Sequence, residues 1–156
     1  MITLGEWCMM YDYDGYPGTG LCWIGDEQVD CIKEEVYMAK CIEEPRQWFT
    51  FVDVAVVSKN LDPGKREVLI RTADGRCFER DQRKVYLERC DASNALQRWF
   101  ALNGDLDGEK FELSQVDFTH QCVTNDHHPK SGEVVETHDC ESSRSKEDQT
   151  SYWERY

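Results

Sequence analysis

Apolar and polar residues alternate along several short stretches of the chain, and polar turns rich in Gly, Asp and Pro separate these stretches. In residues 6–11 three large apolar side chains occupy alternate positions, and residues 85–90 alternate in a similar way before ending at Cys90. A two-residue period places successive side chains on opposite faces of a strand, so each stretch predicts a β-strand. Because no stretch shows a helical period of any length, the chain is expected to be all-β.

One sequence pattern occurs three times. Its fullest copy, residues 77–100, contains a cysteine, an apolar segment, an acidic turn, a second strand ending in a cysteine, and Gln97-Arg98-Trp99. The first half recurs in residues 20–26 and 122–126, and the second half recurs in residues 36–41 and 135–140. Trp48, Trp99 and Trp153 follow at intervals of 51 and 54 residues and are expected to lie in the core. Intervals near 50 residues indicate three repeats.

The order of cysteine, apolar strand, loop, apolar strand, cysteine, loop and Gln-x-Trp resembles the ricin-type β-trefoil lectin family. The resemblance extends from about Trp7 to Trp153, and the motif is complete in the middle repeat. In the first repeat Gln47 directly precedes the tryptophan, and the third repeat lacks the glutamine. The resemblance implies one disulfide-stapled β-trefoil domain over residues 1–156, with three repeats of four strands each. The repeats are expected at about 1–54, 55–105 and 106–156.

Eight cysteines without a C-x-x-C pair indicate disulfides and an oxidising compartment rather than zinc sites. Together with the repeat, their positions predict the pairs Cys22–Cys41, Cys77–Cys90, Cys122–Cys140 and Cys8–Cys31. Cys22 is preferred as the partner of Cys41 because a preceding Gly and a following Asp surround it, as they surround Cys77. The alternative in the first repeat pairs Cys31 with Cys41 and Cys8 with Cys22.

The net charge of −13 argues against binding to nucleic acid or to an anionic membrane surface, since both require positive charge at the contact. No apolar run approaches the ~20 residues of a membrane span, so membrane insertion is not expected. The first residues do not resemble a signal peptide. The cysteines nevertheless favour a secreted or extracellular chain, either mature or a domain of a longer protein.

In the lectin family, an acidic residue two positions after the first cysteine accepts hydrogen bonds from the sugar, and an aromatic residue two positions before the second cysteine stacks on it. In the three repeats the acidic position is occupied by Ile24, Glu79 and Thr124. The aromatic position is occupied by Ala39, Glu88 and His138. No repeat keeps the acid and the aromatic together. The remaining candidate ligand-binding residues are Asn125, Asp126, His127 and His138 in the third repeat, and Glu79, Asp81 and Asn94 in the middle repeat. For Asp81 and Asp126, capping of the turn is the alternative role.

Three histidines, His127, His128 and His138, together with Asp126 offer ligand types suited to zinc or copper. Adjacent histidines on a loop normally point apart, so no metal site and no cofactor are expected. The sequence contains no Ser-His-Asp arrangement and no Gly-rich phosphate loop, so no enzymatic activity is expected.

The sequence therefore predicts a secreted, non-catalytic carbohydrate-binding module with a degenerate or rebuilt sugar pocket, whose partner is a glycan or glycoprotein. Since one fold hosts many functions, the alternative is a protein-binding β-trefoil without sugar binding, such as a protease inhibitor or docking module. That alternative would use the loops 12–20 and 126–132.

Overall fold

The computed structural model describes residues 1–4, 6–11, 21–24, 27–30, 34–54, 66–107, 110–115, 118–126, 130–140, 149–150 and 152–155. The first strands are β1 (Ile2–Leu4), β2 (Trp7–Met10), β3 (Leu21–Ile24), β4 (Glu27–Asp30), β5 (Glu34–Glu35), β6 (Tyr37–Lys40), β7 (Phe49–Asp53) and β8 (Val68–Thr72). The others are β9 (Arg76–Asp81), β10 (Lys84–Arg89), β11 (Trp99–Gly104), β12 (Phe111–Gln115), β13 (Phe118–Asp126), β14 (Glu136–Asp139), β15 (Gln149–Thr150) and β16 (Tyr152–Arg155). Two 3₁₀ turns, Pro45–Gln47 and Ala95–Gln97, are the helical segments of the described residues. The protein is all-β, as the alternation predicts.

Seven strands close into a barrel in the order β13-β14-β10-β9-β8-β11-β12. The ring is completed where Ser114 on β12 lies opposite Cys122 on β13. From β12 the sheet continues outward through β16, β1, β2 and β6, while β7 pairs with β8. Every strand of the ring has a partner on each side, so ring closure removes the exposed edges that an open sheet would present.

The predicted β-trefoil of three four-stranded repeats is wrong for this chain. Four strands per repeat would give twelve, whereas sixteen occur among the described residues, and seven of them form the closed ring. The first third of the chain departs most, because β2 pairs with β6, from Trp7 opposite Lys40 to Met10 opposite Tyr37. β3 and β4 form a separate two-stranded sheet in the described part of the chain. The copy of the pattern at residues 20–26 therefore falls on strand β3 of this additional sheet.

Two of the predicted disulfides are confirmed. Cys77 is bonded to Cys90 and Cys122 to Cys140, with Cα atoms 5.0 and 4.9 Å apart. Across an antiparallel strand pair, Cys77 lies opposite Glu88 and Cys122 lies opposite His138. In each case the opposite residue precedes the second cysteine by two positions. The strand register therefore brings the two sulfurs together.

The predicted pairs of the first repeat are wrong in both versions, Cys22–Cys41 with Cys8–Cys31 and Cys31–Cys41 with Cys8–Cys22, because Cys8 is bonded to Cys41, with Cα atoms 5.0 Å apart. The cause is the pairing of β2 with β6, which places Cys8 opposite Ala39, two positions before Cys41. This is the same register as in the two confirmed disulfides. The side chains of Cys22 and Cys31 lie outside the described residues.

Three disulfides link described residues. Disulfides in this number are typical of extracellular proteins. Among the described residues, no helix has the length and apolar character needed to cross a membrane.

Two tryptophans are the largest fully buried side chains of the core. Trp99 and Trp153 are completely buried. The indole N–H of Trp99 donates to the carbonyl of Phe78 over 3.2 Å, and that of Trp153 donates to the carbonyl of Val123 over 2.9 Å. Each accepting residue directly follows the first cysteine of its disulfide, so the core contact is the same in the middle and last thirds of the chain.

The prediction that Trp48 belongs to the core is wrong, because 50% of this residue is exposed. Phe49 packs against the core instead, with its ring centroid 5.1 Å from that of Phe78 and 5.9 Å from that of Tyr11. The Gln-x-aromatic motif of the first third is therefore Gln47-Trp48-Phe49, and its glutamine is not displaced.

A ring of three backbone hydrogen bonds joins three valines. The N–H of Val36 donates to Val85, that of Val85 to Val135, and that of Val135 to Val36, over 3.1, 3.4 and 2.8 Å. All three valines are fully buried. Because the bonds form a closed cycle, they tie together segments that are far apart in the sequence.

A polar cluster stabilises the turn between β8 and β9. Arg76 Nη2 and Nε donate to Asp74 Oδ2 over 2.8 and 3.1 Å, and the Thr72 hydroxyl donates to Asp74 Oδ1 over 2.5 Å. Partial burial by itself raises the pKa of Asp74, but the hydrogen bonds from Arg76 and Thr72 and the charge of Arg76 outweigh it, so the pKa lies below its ordinary value of 3.8. The ionised carboxylate is therefore the form that the fold favours.

Candidate functional site

The candidate site is a cleft of about 450 Å³ in the middle third of the chain. It lies where the hairpin β9–β10 meets the loop that leads into the 3₁₀ turn Ala95–Gln97. Its lining residues are Glu79, Glu88, Arg89, Cys90, Asp91, Asn94 and Gln97. Phe78 packs in the core, and since successive residues of a strand face opposite sides, Glu79 faces the loop and the cleft.

Gln97 fixes the loop that forms one wall of the cleft. Its side chain is buried, its Oε1 accepts the N–H of Asp91 over 2.8 Å, and its Nε2 donates to the carbonyl of Arg89 over 2.9 Å. The same Nε2 lies 3.2 Å from Glu79 Oε1. A single amide thus satisfies the backbone on both sides of Cys90 and contacts the floor of the cleft.

Asn94 joins the 3₁₀ turn to the floor of the cleft. Its Oδ1 accepts the N–H of Leu96 over 3.0 Å, which caps the turn. Its Nδ2 donates to Glu79 Oε1 over 2.7 Å. Glu79 is only 8% exposed, and one of its oxygens accepts bonds from two amides. The carboxylate is therefore held in a fixed position.

The first third of the chain provides an internal comparison for Glu79. There Gln47 makes the same backbone contacts, since it accepts the N–H of Ile42 and donates to the carbonyl of Lys40, each over 2.8 Å. The residue two positions after the first cysteine is Met10, and its sulfur lies 3.8 Å from Gln47 Nε2. Met10 is buried to a similar degree as Glu79. The loop can therefore form with a methionine in the place of the carboxylate.

The rim of the cleft carries further charge. Asp91 is exposed, and its Oδ1 accepts the hydroxyl and the N–H of Ser93 over 2.6 and 3.0 Å. The hydroxyl bond, followed by the N–H bond, lowers the pKa of Asp91 below its ordinary value. With Glu79, Glu88 and Asp91 against Arg89, the lining has three carboxylates and one guanidinium. The cleft is therefore acidic and rich in hydrogen-bond acceptors.

The structure brings two of the three predicted residues of the middle repeat together. Glu79 and Asn94 are in direct contact within the cleft. Asp81 is exposed at the end of β9 and is not among the lining residues. The sequence pattern did not indicate a role for Asp91, although the Asp-x-Ser spacing of its turn with Ser93 was visible in the sequence.

The predicted residues of the third repeat lie on β13 and β14. Asn125 is buried, and its Nδ2 donates to the carbonyl of Val134 over 3.1 Å. His138 is half-buried, with its Nε2 2.7 Å from Glu136 Oε2. His138 lies opposite Cys122, three residues before Asn125, so the strand alternation places His138 and Asn125 on opposite faces of the sheet. The side chain of Asp126 and all of His127 and His128 lie outside the described residues, and these assignments stay predictions.

One group of metal-ligand type occurs elsewhere among the described residues. Glu112 brings a carboxylate oxygen within 4.8 Å of the sulfurs of Cys122 and Cys140. These sulfurs form a disulfide and offer no thiolate, so the group lacks the ligands that a zinc ion requires.

No protein-family model matches the chain, and no curated protein matches it. Solved structures do resemble it. The designed threefold-symmetric protein ThreeFoil, a β-trefoil, is 15% identical to this chain with a TM-score of 0.55. The match covers 78% of this chain and 80% of the ThreeFoil chain. Cytolethal distending toxin from Actinobacillus actinomycetemcomitans is 12% identical with a TM-score of 0.58, covering 97% and 90%, respectively.

The cytolethal distending toxin of Haemophilus ducreyi is also 12% identical, with a TM-score of 0.57 and coverage of 96% of this chain and 82% of that chain. At these identities the likeness concerns the fold alone. The chain is therefore similar to proteins with β-trefoil-like folds, while its own strands close a seven-strand ring.

Proposed function

We propose that this chain is a secreted, non-catalytic carbohydrate-binding module of the ricin-type lectin kind, and that its cleft binds a glycan or a glycoprotein. The observation that carries the proposal is the buried carboxylate of Glu79 on the cleft floor. Two amides hold it in place, although Met10 fills the equivalent position elsewhere in the chain. A buried carboxylate that the loop does not require is explained by a ligand.

The cleft suits a sugar in size and chemistry. Its volume of about 450 Å³ falls within the range of small-molecule sites. Sugar hydroxyls are donors, and carboxylates accept several hydrogen bonds each, so Glu79 and the rim carboxylates can bind adjacent hydroxyls. The amide groups of Asn94 and Gln97 fix the orientation of Glu79 before the ligand arrives, which lowers the entropy lost on binding.

The lining also explains why the proposal is for binding rather than catalysis. The residues that line the cleft offer no hydroxyl, thiol or imidazole, since Cys90 is part of a disulfide. A Ser, Thr, Cys or His nucleophile is therefore lacking among these residues, and the amides of Asn94 and Gln97 hold the buried Glu79 carboxylate as a fixed hydrogen-bond acceptor. The lining has no aromatic ring either, so a sugar is held without stacking, and we expect dissociation constants in the millimolar range.

The test is calorimetric titration of the wild type with galactose, N-acetylgalactosamine, mannose and glucose, followed by Glu79→Met. We expect weak saturable binding of at least one sugar, and a loss of tenfold or more in Glu79→Met. Asp81→Asn is the matched control, because Asp81 is an exposed carboxylate outside the lining. It should leave the affinity unchanged. The proposal is contradicted if no sugar binds, or if Glu79→Met binds as tightly as the wild type.

A protein-binding module is the second candidate, and a separate observation favours it. Ile42 and Trp48, at the two ends of the loop that Gln47 braces, are 57% and 50% exposed. Large exposed apolar side chains are common at protein interfaces. The loops predicted for this function, 12–20 and 126–132, lie largely outside the described residues. A protein partner that is lost with Trp48→Ser, while no sugar binds the wild type, would favour this candidate.

A further inference from the structure

We infer that the cleft is also a thiol-exchange site, at which a small neutral thiol becomes bound to Cys90 as a mixed disulfide. The exchange opens the link between Cys77 and Cys90. The inference goes beyond the proposed function and does not depend on it, because it concerns a sulfur in the wall of the cleft and not the recognition of a sugar.

The disulfides of the described residues differ in the burial of their cysteines. Cys122 and Cys140 are both fully buried. Cys77 is fully buried as well, whereas its partner Cys90 is partly exposed and lines the cleft of about 450 Å³. Exchange requires that a thiolate reach one sulfur of the disulfide. A small thiol can therefore reach Cys90 through the cleft, while Cys122 and Cys140 offer no such access.

The burial of the two cysteines determines which sulfur is attacked. Because Cys77 is buried and Cys90 lines the cleft, a thiolate that enters the cleft attacks Cys90 Sγ and makes Cys77 the leaving group. A bond forms between the entering sulfur and Cys90 Sγ, and the bond between the two protein sulfurs breaks. Its electron pair goes to Cys77 Sγ, which takes a proton from the solvent. The exchange consumes the thiol and requires no further oxidant or reductant.

The loop around Cys90 has contacts that do not involve the disulfide. Gln97 accepts the N–H of Asp91 and donates to the carbonyl of Arg89, so it holds the backbone on both sides of Cys90. The six residue pairs between β9 and β10 fix the antiparallel register of the hairpin. We therefore expect the cleft to persist around the bound thiol.

Cys41 separates an effect of the cleft from an effect of exposure. Like Cys90, it is partly exposed while its partner Cys8 is fully buried. Gln47 holds the backbone on both sides of Cys41, as Gln97 does around Cys90. Cys41 is not among the residues that line the cleft. A thiol adduct that depends on the cleft should therefore accumulate at Cys90 and not at Cys41.

The experiment exposes the native wild-type protein briefly to 2-mercaptoethanol without denaturant. N-ethylmaleimide then blocks the free thiols, and the chain is digested with trypsin and analysed by mass spectrometry. Basic residues between positions 77 and 90 place these two cysteines in separate peptides. We expect the 2-mercaptoethanol adduct on Cys90 and the maleimide on Cys77, formed roughly tenfold faster than Cys122–Cys140 opens. The adduct at Cys41 should be at least roughly fivefold less abundant than that at Cys90.

Tryptophan fluorescence recorded in parallel should stay native, since Trp99 and Trp153 are fully buried and report on unfolding. The absence of an adduct at Cys90 would overturn the inference. Equal adducts at Cys41 and Cys90 would show that the cleft plays no part. Opening of Cys122–Cys140 at the same rate, with loss of the native fluorescence, would show that exchange follows unfolding. No sugar takes part in the experiment, so each of these failures would leave carbohydrate binding in place.

Discussion

Glu79→Met is the substitution that most directly separates a role in folding from a role in ligand binding. It places the residue found at Met10 into the same structural position of the middle third of the chain. In both thirds a buried glutamine braces the loop through one backbone N–H and one carbonyl. Gln97 therefore keeps its backbone contacts in the variant.

The expected change in stability is small because large contributions cancel. The variant loses the hydrogen bonds that Asn94 and Gln97 donate to a charged group, worth about 1.5–3 kcal/mol each. It also removes the cost of burying a carboxylate, which is several kcal/mol. Burial of the methionine contributes roughly 1.5–3 kcal/mol, and the half-exposed amide of Asn94 regains water as its partner. We expect a free energy of unfolding within about 1 kcal/mol of the wild type.

Urea denaturation followed by tryptophan fluorescence measures this difference. The slope of the unfolding free energy against urea concentration, the m-value, should be equal in the two proteins. Glu79→Ala serves as the control, because it removes the charge and leaves a void, for which we expect a loss of about 1–3 kcal/mol. A loss of more than about 3 kcal/mol in Glu79→Met would refute the reasoning. It would show that the carboxylate holds the loop together, and the argument for a ligand would lose its basis.

Three further predictions concern the fold. Trp48→Ser should change the free energy of unfolding by less than about 1 kcal/mol, whereas Phe49→Ala should lower it by about 2–4 kcal/mol because its ring packs in the core; equal losses in urea denaturation would refute the assignment of the motif. Peptide mapping without reduction should recover Cys8 linked to Cys41, and on the loop-entropy model removal of this 33-residue link should lower stability by about 4 kcal/mol; a different partner for either cysteine would contradict the structure. Since the pKa of Asp74 lies below 3.8, its ion pair stabilises the fold above that pH and the contribution is lost as the pH falls through the lowered value. Acid denaturation should therefore reduce the stability of the wild type more than that of Asp74→Asn, and parallel acid profiles would show that the ion pair has no such effect.

The parts of the structure that short-range patterns determine were predictable from the sequence. Strand alternation gives the all-β class. The cysteine spacing together with a following tryptophan gives the disulfides of the middle and last thirds and the buried position of Trp99 and Trp153. Glu79 and Asn94 follow from their places relative to Cys77 and Gln97, and both lie in the cleft.

The first third of the chain was misread because two strands carry similar local patterns. Cys22 has the neighbouring Gly and Asp of Cys77, so the sequence favours it, whereas Cys8 pairs with Cys41 through the register of β2 with β6. That register depends on contacts between distant segments, and alternation alone cannot choose between two alternating strands. A signal was present, since Gln47 and Gln97 are 50 residues apart and each is followed two positions later by an aromatic residue.

Ring closure and the charge of the cleft depend on tertiary structure in the same way. β12 and β13 are neighbours in the sequence, but the ring also needs β10 to pair with β14 and β8 to pair with β11, and no local feature of these strands predicts those distant pairs. Asp91 enters the lining because Gln97 fixes the loop around Cys90. Its position in the cleft therefore follows from a buried contact that the sequence does not reveal.

Amide chemical-shift titration with galactose, N-acetylgalactosamine, mannose and glucose measures carbohydrate binding at the cleft residue by residue. We expect saturable shifts at Glu79, Asn94 and residues 88–91 with at least one of these sugars, and no shifts in Glu79→Met at the same concentrations. Shifts confined to residues 124–138, or no shifts with any sugar, would contradict carbohydrate binding at the cleft.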